Sequence, residues 1–167
     1  MLTVLIETHN DEEGLARTLG SLVAGSVEGV VREVMLHDRG STDHTTLVAD
    51  HAGCTLVGEG DLPARLRHAR GDWLLVLEPG SRLTEGWTEA VMLHITSLTM
   101  PARFTRSRIG RPRFLARFFS TRRPFADGLL ISKRQALGLL KGASDLAPVA
   151  RVSTKRIAAE IIASPKR

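Results

Sequence analysis

Cysteine is almost absent from this sequence, which has Cys54 and no second thiol among its 167 residues. One thiol cannot form an internal disulfide. The apolar neighbours Leu56 and Val57 predict a buried, unreactive side chain for Cys54 rather than a nucleophile. The low cysteine content favours a reducing environment, so we expect the protein in the cytoplasm.

Long apolar segments are also missing. The first apolar run, residues 2–6, is short and has no basic residues before it. A secretion signal needs a basic start, and a membrane-spanning helix needs about 20 consecutive apolar residues. We therefore expect neither segment. Internal repeats and low-complexity linkers are absent too, and a chain of 167 residues suits a single domain, residues 1–167, with a substantial core.

Acidic residues are scarce in the second part of the chain. Residues 1–100 contain 7 Lys or Arg and 15 Asp or Glu, whereas residues 101–167 contain 16 and 3. The net charge is therefore −8 in the first part and +13 in the second. Such a basic surface predicts an anionic partner. Nucleotide phosphates, lipid headgroups and nucleic acid all fit, and a solvated basic face without a partner stays an alternative.

Apolar runs and helical patterns alternate along residues 1–100. Asn10 and Glu13 have the spacing of a helix cap and its reciprocal carboxylate, and Ser41 can cap a second helix. This alternation is typical of a parallel sheet between helices, so we predict a three-layer α/β fold. The predicted strands are 2–6, 34–36, 54–57, 73–77 and 128–132, and the predicted helices are about 10–24, 42–52, 64–69, 85–98 and 134–140, followed by a polar tail.

Polar residues follow three of the predicted strands, in residues 7–10, 38–43 and 78–81. The carboxyl ends of parallel strands meet at one edge of a sheet, and ligands of open α/β sheets bind beyond that edge. The sequence therefore predicts that these three segments line one crevice and form a ligand site.

Three segments occur in a characteristic order and spacing: residues 4–12 (VLIETHNDE), 37–43 (HDRGSTD) and 69–77 (ARGDWLLVL). Together they resemble glycosyltransferase family 2. The similarity covers about residues 2–90, and the set of three is more specific than any one segment. Residues 124–134 (PFADGLLISKR) add a weaker resemblance to a late segment of bacterial members.

The resemblance implies a Rossmann-like GT-A fold with a mostly parallel sheet, in a short bacterial member of the family. It also implies transfer of a sugar from a nucleotide-diphosphate carrier to an acceptor, by direct displacement with inversion. The acceptor is unknown, with a polysaccharide or a lipid carrier as candidates. Residues 1–100 would form the nucleotide-binding half, and residues 101–167 the basic acceptor-side half.

Four residues of the first two segments become candidates for nucleotide contacts by position: Thr8, Asp11 or Glu12, and Asp38. Asp38 can accept hydrogen bonds from ribose hydroxyls or a base N–H, and Thr8 can donate or accept. Roles in helix capping and turns are the alternative for each.

The metal-binding motif is incomplete. Family members carry Asp-x-Asp after the fourth strand, where carboxylates bind a divalent cation, Mg²⁺ or Mn²⁺, that bridges the diphosphate. Here the matching residues are Glu78, Pro79 and Gly80. Glu78 is the candidate metal ligand, and a site with one carboxylate would hold the ion loosely. This loss favours a second hypothesis, a catalytically inactive relative that acts as a binding or regulatory module.

Other departures change the charge of the nucleotide site. Glu7 replaces a family proline, Arg39 replaces an aspartate, and residues 62–63 replace an arginine–asparagine pair. Arg39, Arg65 and Arg67 are candidates for binding the diphosphate instead, since guanidinium groups pair well with phosphate oxygens.

An inverting transfer needs a general base for the acceptor hydroxyl. Asp127 and Asp145 are the acidic candidates in the second half, and salt bridges with the surrounding arginines are the alternative for both. His9, His37 and His44 lie near the predicted crevice without a metal-ligand spacing, so we expect exposed turn residues there.

Residues 103–125 contain eight arginines and all five phenylalanines of the chain. Within them, residues 112–120 have the pattern of an amphipathic helix with a basic flank. The phenylalanines could complete the core, which we favour, or contact an anionic membrane at its inner face. Stacking on a single-stranded nucleic acid is the third interpretation, and we do not expect it.

Overall fold

The structure is a computed structural model that describes residues 1–58, 60–97, 100–108, 123–141, 143 and 145–164. Over the first hundred residues the helices and strands follow one another as the sequence pattern predicts, except that the short strand β5 was not predicted. In chain order they are β1 (Leu2–Thr8), α1 (Glu12–Val27), β2 (Val31–Asp38), α2 (Thr45–His51), β3 (Thr55–Val57), α3 (Leu62–Arg67), β4 (Trp73–Leu77), β5 (Arg82–Leu83), α4 (Trp87–Ser97), β6 (Ala102–Arg106), β7 (Leu129–Ser132), α5 (Lys133–Leu139), α6 (Ala147–Ala150) and β8 (Lys155–Ile162).

The described strands form one sheet in the order β3-β2-β1-β4-β7-β6-β8-β5. The pairs from β3 to β4 are parallel, as is the pair of β6 with β8, whereas β7 and β5 are antiparallel to their neighbours. The register of β1 on β2 places Thr8 beside Asp38. The carboxyl ends of β1, β2, β4 and β6 therefore lie along one edge of the sheet, together with the start of β7.

Helices cover both faces of this sheet. One apolar cluster contains Leu15 of α1, Ala49 of α2 and Val91 of α4. The other contains Leu66 of α3 and Ala136 of α5. The apolar residues of β1 serve both clusters, because Val4 and Ile6 enter the first and Leu5 between them enters the second. The predicted three-layer α/β fold with a mostly parallel sheet is confirmed.

The first helix begins differently from the prediction. Asp11, not Asn10, caps α1, and its carboxylate accepts a hydrogen bond of 2.9 Å from the Gly14 N–H. Asn10 has a φ of 48°, a left-handed conformation that asparagine tolerates better than most residues. Its side-chain oxygen accepts from the Thr42 N–H at 2.7 Å. Asn10 therefore joins the two strand-end loops instead of capping a helix.

The prediction of a cap at Ser41 is also wrong, because α2 begins only at Thr45. The largest error concerns the polar tail, which contains α6 and the eight-residue strand β8. Ile157, Ala159 and Ile161 of β8 are buried in alternation with exposed residues. This alternation of period two was present in the sequence and is the signal for a strand with one buried face.

Candidate functional site

The paired ends of β1 and β2 contain a buried hydroxyl. Thr8 is 3% exposed, and within the described residues its Oγ1 atom has no hydrogen-bond partner. The Thr8 carbonyl accepts from the Arg39 N–H at 3.0 Å, which fixes the loop after β2 against β1. A buried polar atom without a partner is uncommon in folded proteins, and each case asks for an explanation.

Asp38 organises the loop that follows β2. Its two carboxylate oxygens accept from the Ser41 N–H at 2.9 Å and from the Ser41 hydroxyl at 2.5 Å. The Ser41 oxygen in turn accepts from the Asn10 N–H at 2.9 Å. Asp38 thus has the turn role that was the alternative to a nucleotide contact, and it lies beside Thr8 as the nucleotide prediction requires.

Asp11 and Glu12 are nearby but are engaged with the protein. Asp11 caps α1, while Glu12 Oε2 accepts from the His44 N–H at 2.9 Å and lies 3.1 Å from its Nδ1. Asp43 accepts from the Thr45 and Glu12 N–H groups. Hydrogen bonds, first that with Thr45, lower the pKa of Asp43 below its ordinary value. These carboxylates join the ends of α1 and α2.

Sequence reasoning missed a charged group formed by Glu7, His37 and Arg39. His37 is 5% exposed within β2, so the expectation of an exposed turn histidine is wrong for it. Glu7 lies 3.5 Å from His37 Nδ1 and 3.2 Å from Arg39 Nη1. The contact with His37, followed by that with Arg39, lowers the pKa of Glu7, while partial burial opposes the shift. The register of β1 on β2 would have revealed this group, because it pairs Glu7 with His37.

Glu78, the candidate metal ligand, is held by the protein. Its Oε2 atom lies 2.8 Å from the Arg123 Nε, and its Oε1 accepts from the Phe125 N–H at 3.0 Å. The side chain is 14% exposed. Both carboxylate oxygens therefore already have a positively polarised neighbour.

The loop after β4 leaves no room for a second ligand. Gly80 has a φ of 84°, and a Cβ atom at this position would lie 2.3 Å from Ser164 Oγ. The Gly80 N–H donates to the Gly14 carbonyl at 2.8 Å, and Thr18 Oγ1 donates to the Ser81 carbonyl at 2.9 Å. No group of three metal-ligating side chains occurs in the part of the chain that the structure describes. These residues do not fit a divalent cation.

Asp127, a candidate base, lies at the start of β7 within a cluster of arginines. Its carboxylate accepts from Arg106 Nε at 2.8 Å and from Arg156 Nη1 at 3.1 Å, and its side chain is 18% exposed. Arg103 donates to the carbonyls of residues 124, 128 and 150. Burial lowers the pKa of Arg103, while the carboxylates of Asp127 and Glu78 oppose that shift. The cluster thus reaches from Asp127 toward Glu78.

The remaining candidates lie apart from this cluster. Asp145 is exposed, and its carboxylate accepts from the Ala147 N–H at 2.9 Å at the start of α6. Arg65 and Arg67 are exposed on α3. Arg67 and Arg134 line a groove of about 770 Å³ between α3 and α5.

The predicted amphipathic helix falls outside the described residues, because residues 109–122 are not among them. Its three interpretations therefore stay predictions. Within the described residues, no helix combines the length and the apolar character that crossing a membrane requires.

Known structures resemble this arrangement of strands and helices. Crystal structures of glucosyl-3-phosphoglycerate synthase from Mycobacterium tuberculosis match 100% of this chain and 72% of theirs, with a TM-score of 0.60. The sequence identity is 16% for a complex with Mn²⁺, UDP and glucosyl-3-phosphoglycerate, 18% for one with Mn²⁺, UDP-glucose and phosphoglyceric acid, and 17% for one with Mg²⁺ and UDP. The chain has the GT-A fold.

The GT-A fold predicted from the resemblance is thus confirmed. No protein-family model matches the sequence, and neither does any curated protein. At this level of identity the structural similarity establishes the fold alone, since one fold supports many functions. Function has to be argued from the strand-end residues.

Proposed function

We propose that this chain binds a nucleotide-diphosphate sugar at the edge formed by β1, β2 and β4 and transfers the sugar to an acceptor. One observation carries the proposal. Thr8 Oγ1 and His37 Nε2 are buried at adjacent strand ends and lack hydrogen-bond partners among the described residues. Leaving such groups unpaired costs about 1–3 kcal/mol each, so a ligand that supplies partners is favoured there.

The chemistry of this edge suits a nucleoside. Asp38 accepts hydrogen bonds, Thr8 can donate or accept, and both lie where ligands of α/β sheets bind. Ribose hydroxyls and base N–H groups provide the complementary donors. Asp11 and Glu12 border the same edge through their contacts with Gly14 and His44.

The structural neighbours support the class of donor and acceptor. They are described in complex with UDP-glucose and with phosphoglyceric acid. From this we infer a nucleotide-diphosphate sugar as the donor of the present chain. An anionic acceptor suits residues 101–167, which carry 16 basic and 3 acidic residues.

Asp127 is the better candidate for the general base. It lies at the same sheet edge as Glu78, whereas the exposed carboxylate of Asp145 accepts from the Ala147 N–H at the start of α6. Arg106 and Arg156 orient the Asp127 carboxylate. For transfer, that carboxylate would take the proton of the acceptor hydroxyl as the hydroxyl oxygen attacks the sugar.

A thermal-shift titration of the full chain with UDP-, GDP-, TDP- and CMP-sugars tests donor binding. A ligand at about 100 times its dissociation constant adds roughly 2.7 kcal/mol, which raises the melting midpoint by about 5–10 °C. A shift with a UDP-, GDP- or TDP-sugar supports the proposal and identifies the base, whereas a shift with the CMP-sugar alone, which has no diphosphate, contradicts it. No shift with any of them overturns it.

A release assay then separates the enzyme from an inactive binding module. The chain is incubated with the donor that binds and with phosphorylated and neutral sugar or hydroxy-acid acceptors, and the free nucleotide is measured. Release that depends on the acceptor supports transfer. Binding without release with any acceptor favours the module.

A further inference from the structure

The residues after β4 present a guanidinium where the sequence pattern leads one to expect a metal ion. Arg123 Nε lies 2.8 Å from Glu78 Oε2, and Arg123 Nη1 donates to the Ser164 carbonyl at 2.9 Å. The two contacts hold the guanidinium in a fixed place before any ligand binds. A divalent cation at Glu78 would lie against this positive charge and be repelled.

The second ligand position is closed for a steric reason. Gly80 has a backbone conformation that L side chains rarely adopt, and a Cβ atom would collide with Ser164. An aspartate cannot stand there unless Ser164 moves. Of the two positions of a two-carboxylate site, the first therefore holds Glu78, which is ion-paired with Arg123. The second holds Gly80, which packs against Ser164.

The surrounding charges leave a positive surplus. Arg103, Arg106, Arg123 and Arg156 surround Glu78 and Asp127, which gives four guanidinium groups against two carboxylates. The side chains of Arg123 and Arg156 are 30% and 59% exposed, so solvent and ligands reach them. A diphosphate carries the opposite charge, and guanidinium groups form paired hydrogen bonds with its oxygens.

We propose that Arg123, fixed by Glu78 and supported by Arg156, binds the diphosphate of the donor in place of a divalent cation, so that donor binding does not depend on metal. This inference rests on the proposed function and names the positive charge that its site uses. It also moves the diphosphate contact from Arg39, Arg65 and Arg67 to Arg123, in the segment before β7, and Arg156 of β8.

Calorimetric titration of the metal-stripped full chain with UDP, GDP, TDP and ADP tests the proposal, each in EDTA and in MnCl₂. We expect one of these diphosphates to bind, and its affinity to be the same in EDTA and in MnCl₂. Arg123→Gln should weaken its binding about tenfold, the effect of losing a charge-assisted hydrogen bond. Arg156→Gln should weaken binding less. It leaves the Glu78–Arg123 pair intact, so it provides the test if the Arg123→Gln variant does not fold.

Glu78→Gln gives the sharpest contrast, because binding of the diphosphate by arginines and binding through a metal ion predict opposite changes in affinity. Gln keeps an oxygen that can accept from the Phe125 N–H, and Arg123 keeps its hydrogen bond to the Ser164 carbonyl, so the guanidinium stays in place while the cluster loses one negative charge. We therefore expect tighter binding of the diphosphate. A metal ligand at this position would instead make the variant lose its binding in MnCl₂.

Arg17→Gln is the matched control. Arg17 also pairs with a glutamate, Glu13, but on the exposed face of α1. The substitution changes the net charge and breaks an ion pair in the same way as Arg123→Gln, and should leave diphosphate affinity at the wild-type value.

Two outcomes overturn the inference in distinguishable ways. Binding in MnCl₂ but not in EDTA contradicts metal independence and leaves the proposed function standing. Absence of binding of all four diphosphates in both buffers contradicts the proposed function, and the inference with it. Equal binding in both buffers, weakened by Arg123→Gln and not by Arg17→Gln, supports both.

Discussion

Carboxylates at the two ends of the candidate crevice have different partners. At the ends of β1 and β2, Asp38 and Asp43 accept from hydroxyl and backbone N–H groups. At the ends of β4 and β7, Glu78 and Asp127 are paired with arginines. The first region suits the hydroxyls and N–H groups of a nucleoside, and the second suits phosphates. The two regions lie along one edge of the sheet, and they differ in the partners of their carboxylates.

The largest effect that tests this contrast is expected at Asp127. Asp127→Asn keeps the size of the side chain and removes the base, so transfer should fall by about 100-fold or more while donor binding stays measurable. Initial rates of nucleotide release at saturating donor measure it. Asp145→Asn is the control, since its exposed carboxylate accepts only a local hydrogen bond from the Ala147 N–H. Equal losses in both variants would refute the assignment of the base to Asp127.

Asp38 tests the nucleoside side of the comparison. Asp38→Ala should weaken nucleotide binding by about tenfold or more, because hydrogen bonds to a charged group contribute about 1.5–3 kcal/mol. Isothermal titration with the nucleotide that binds gives the affinity. Ser41→Ala is the control, because it removes the hydroxyl that Asp38 binds within the loop and keeps the carboxylate. If Ser41→Ala weakens binding equally, loop geometry rather than a ligand contact explains both losses.

The sequence predicted the features that follow from local patterns, and it did not predict contacts between segments far apart in the chain. The apolar run 73–77 matches β4 at both ends, and the three polar segments after β1, β2 and β4 do lie at one edge. Local patterns were sufficient there, because burial on both faces requires an unbroken apolar strand. The same reasoning placed Thr8 and Asp38 at one edge, and the register of β1 on β2 then puts them side by side.

The arginine contacts could not be predicted in the same way. The Glu78–Arg123 pair and the contact of Gly80 with Ser164 join segments far apart in sequence. They depend on β6, β7 and β8, of which only β7 was predicted. Sequence position alone therefore favoured Arg65 and Arg67, which are close to the other motifs along the chain but lie on the exposed side of α3.

Thr8 should respond in opposite directions in two measurements. Thr8→Val replaces a buried, unpaired hydroxyl by a methyl group of similar size, so the free chain should unfold at an equal or higher temperature. Nucleotide binding should weaken severalfold, since the ligand loses a partner. Thermal melts with and without nucleotide measure both effects. Lower stability of the free variant would show that the hydroxyl has a partner within the protein.

The smallest effect concerns the pH dependence of stability at Glu7. Contacts with His37 and Arg39 lower the pKa of Glu7 below its ordinary value of 4.5 in the folded chain. A lowered carboxyl pKa stabilises the fold above the unfolded value, and this stabilisation is lost as the pH falls through the folded value. Glu7→Gln should therefore reduce the loss of stability between about pH 5 and pH 3, by less than about 1 kcal/mol because Glu7 is partly exposed.

Urea unfolding at a series of pH values measures this difference. Glu13→Gln is the control, because it removes a carboxylate from an exposed pair in α1 and should follow the wild-type curve in shape. A Glu7→Gln curve parallel to the wild type from pH 6 to pH 3 would mean that Glu7, His37 and Arg39 do not interact in solution. That result would remove the interaction of Glu7 with His37 and Arg39 from the account of the β1–β2 end, and leave there the hydrogen bonds of Asp38 and Asp43.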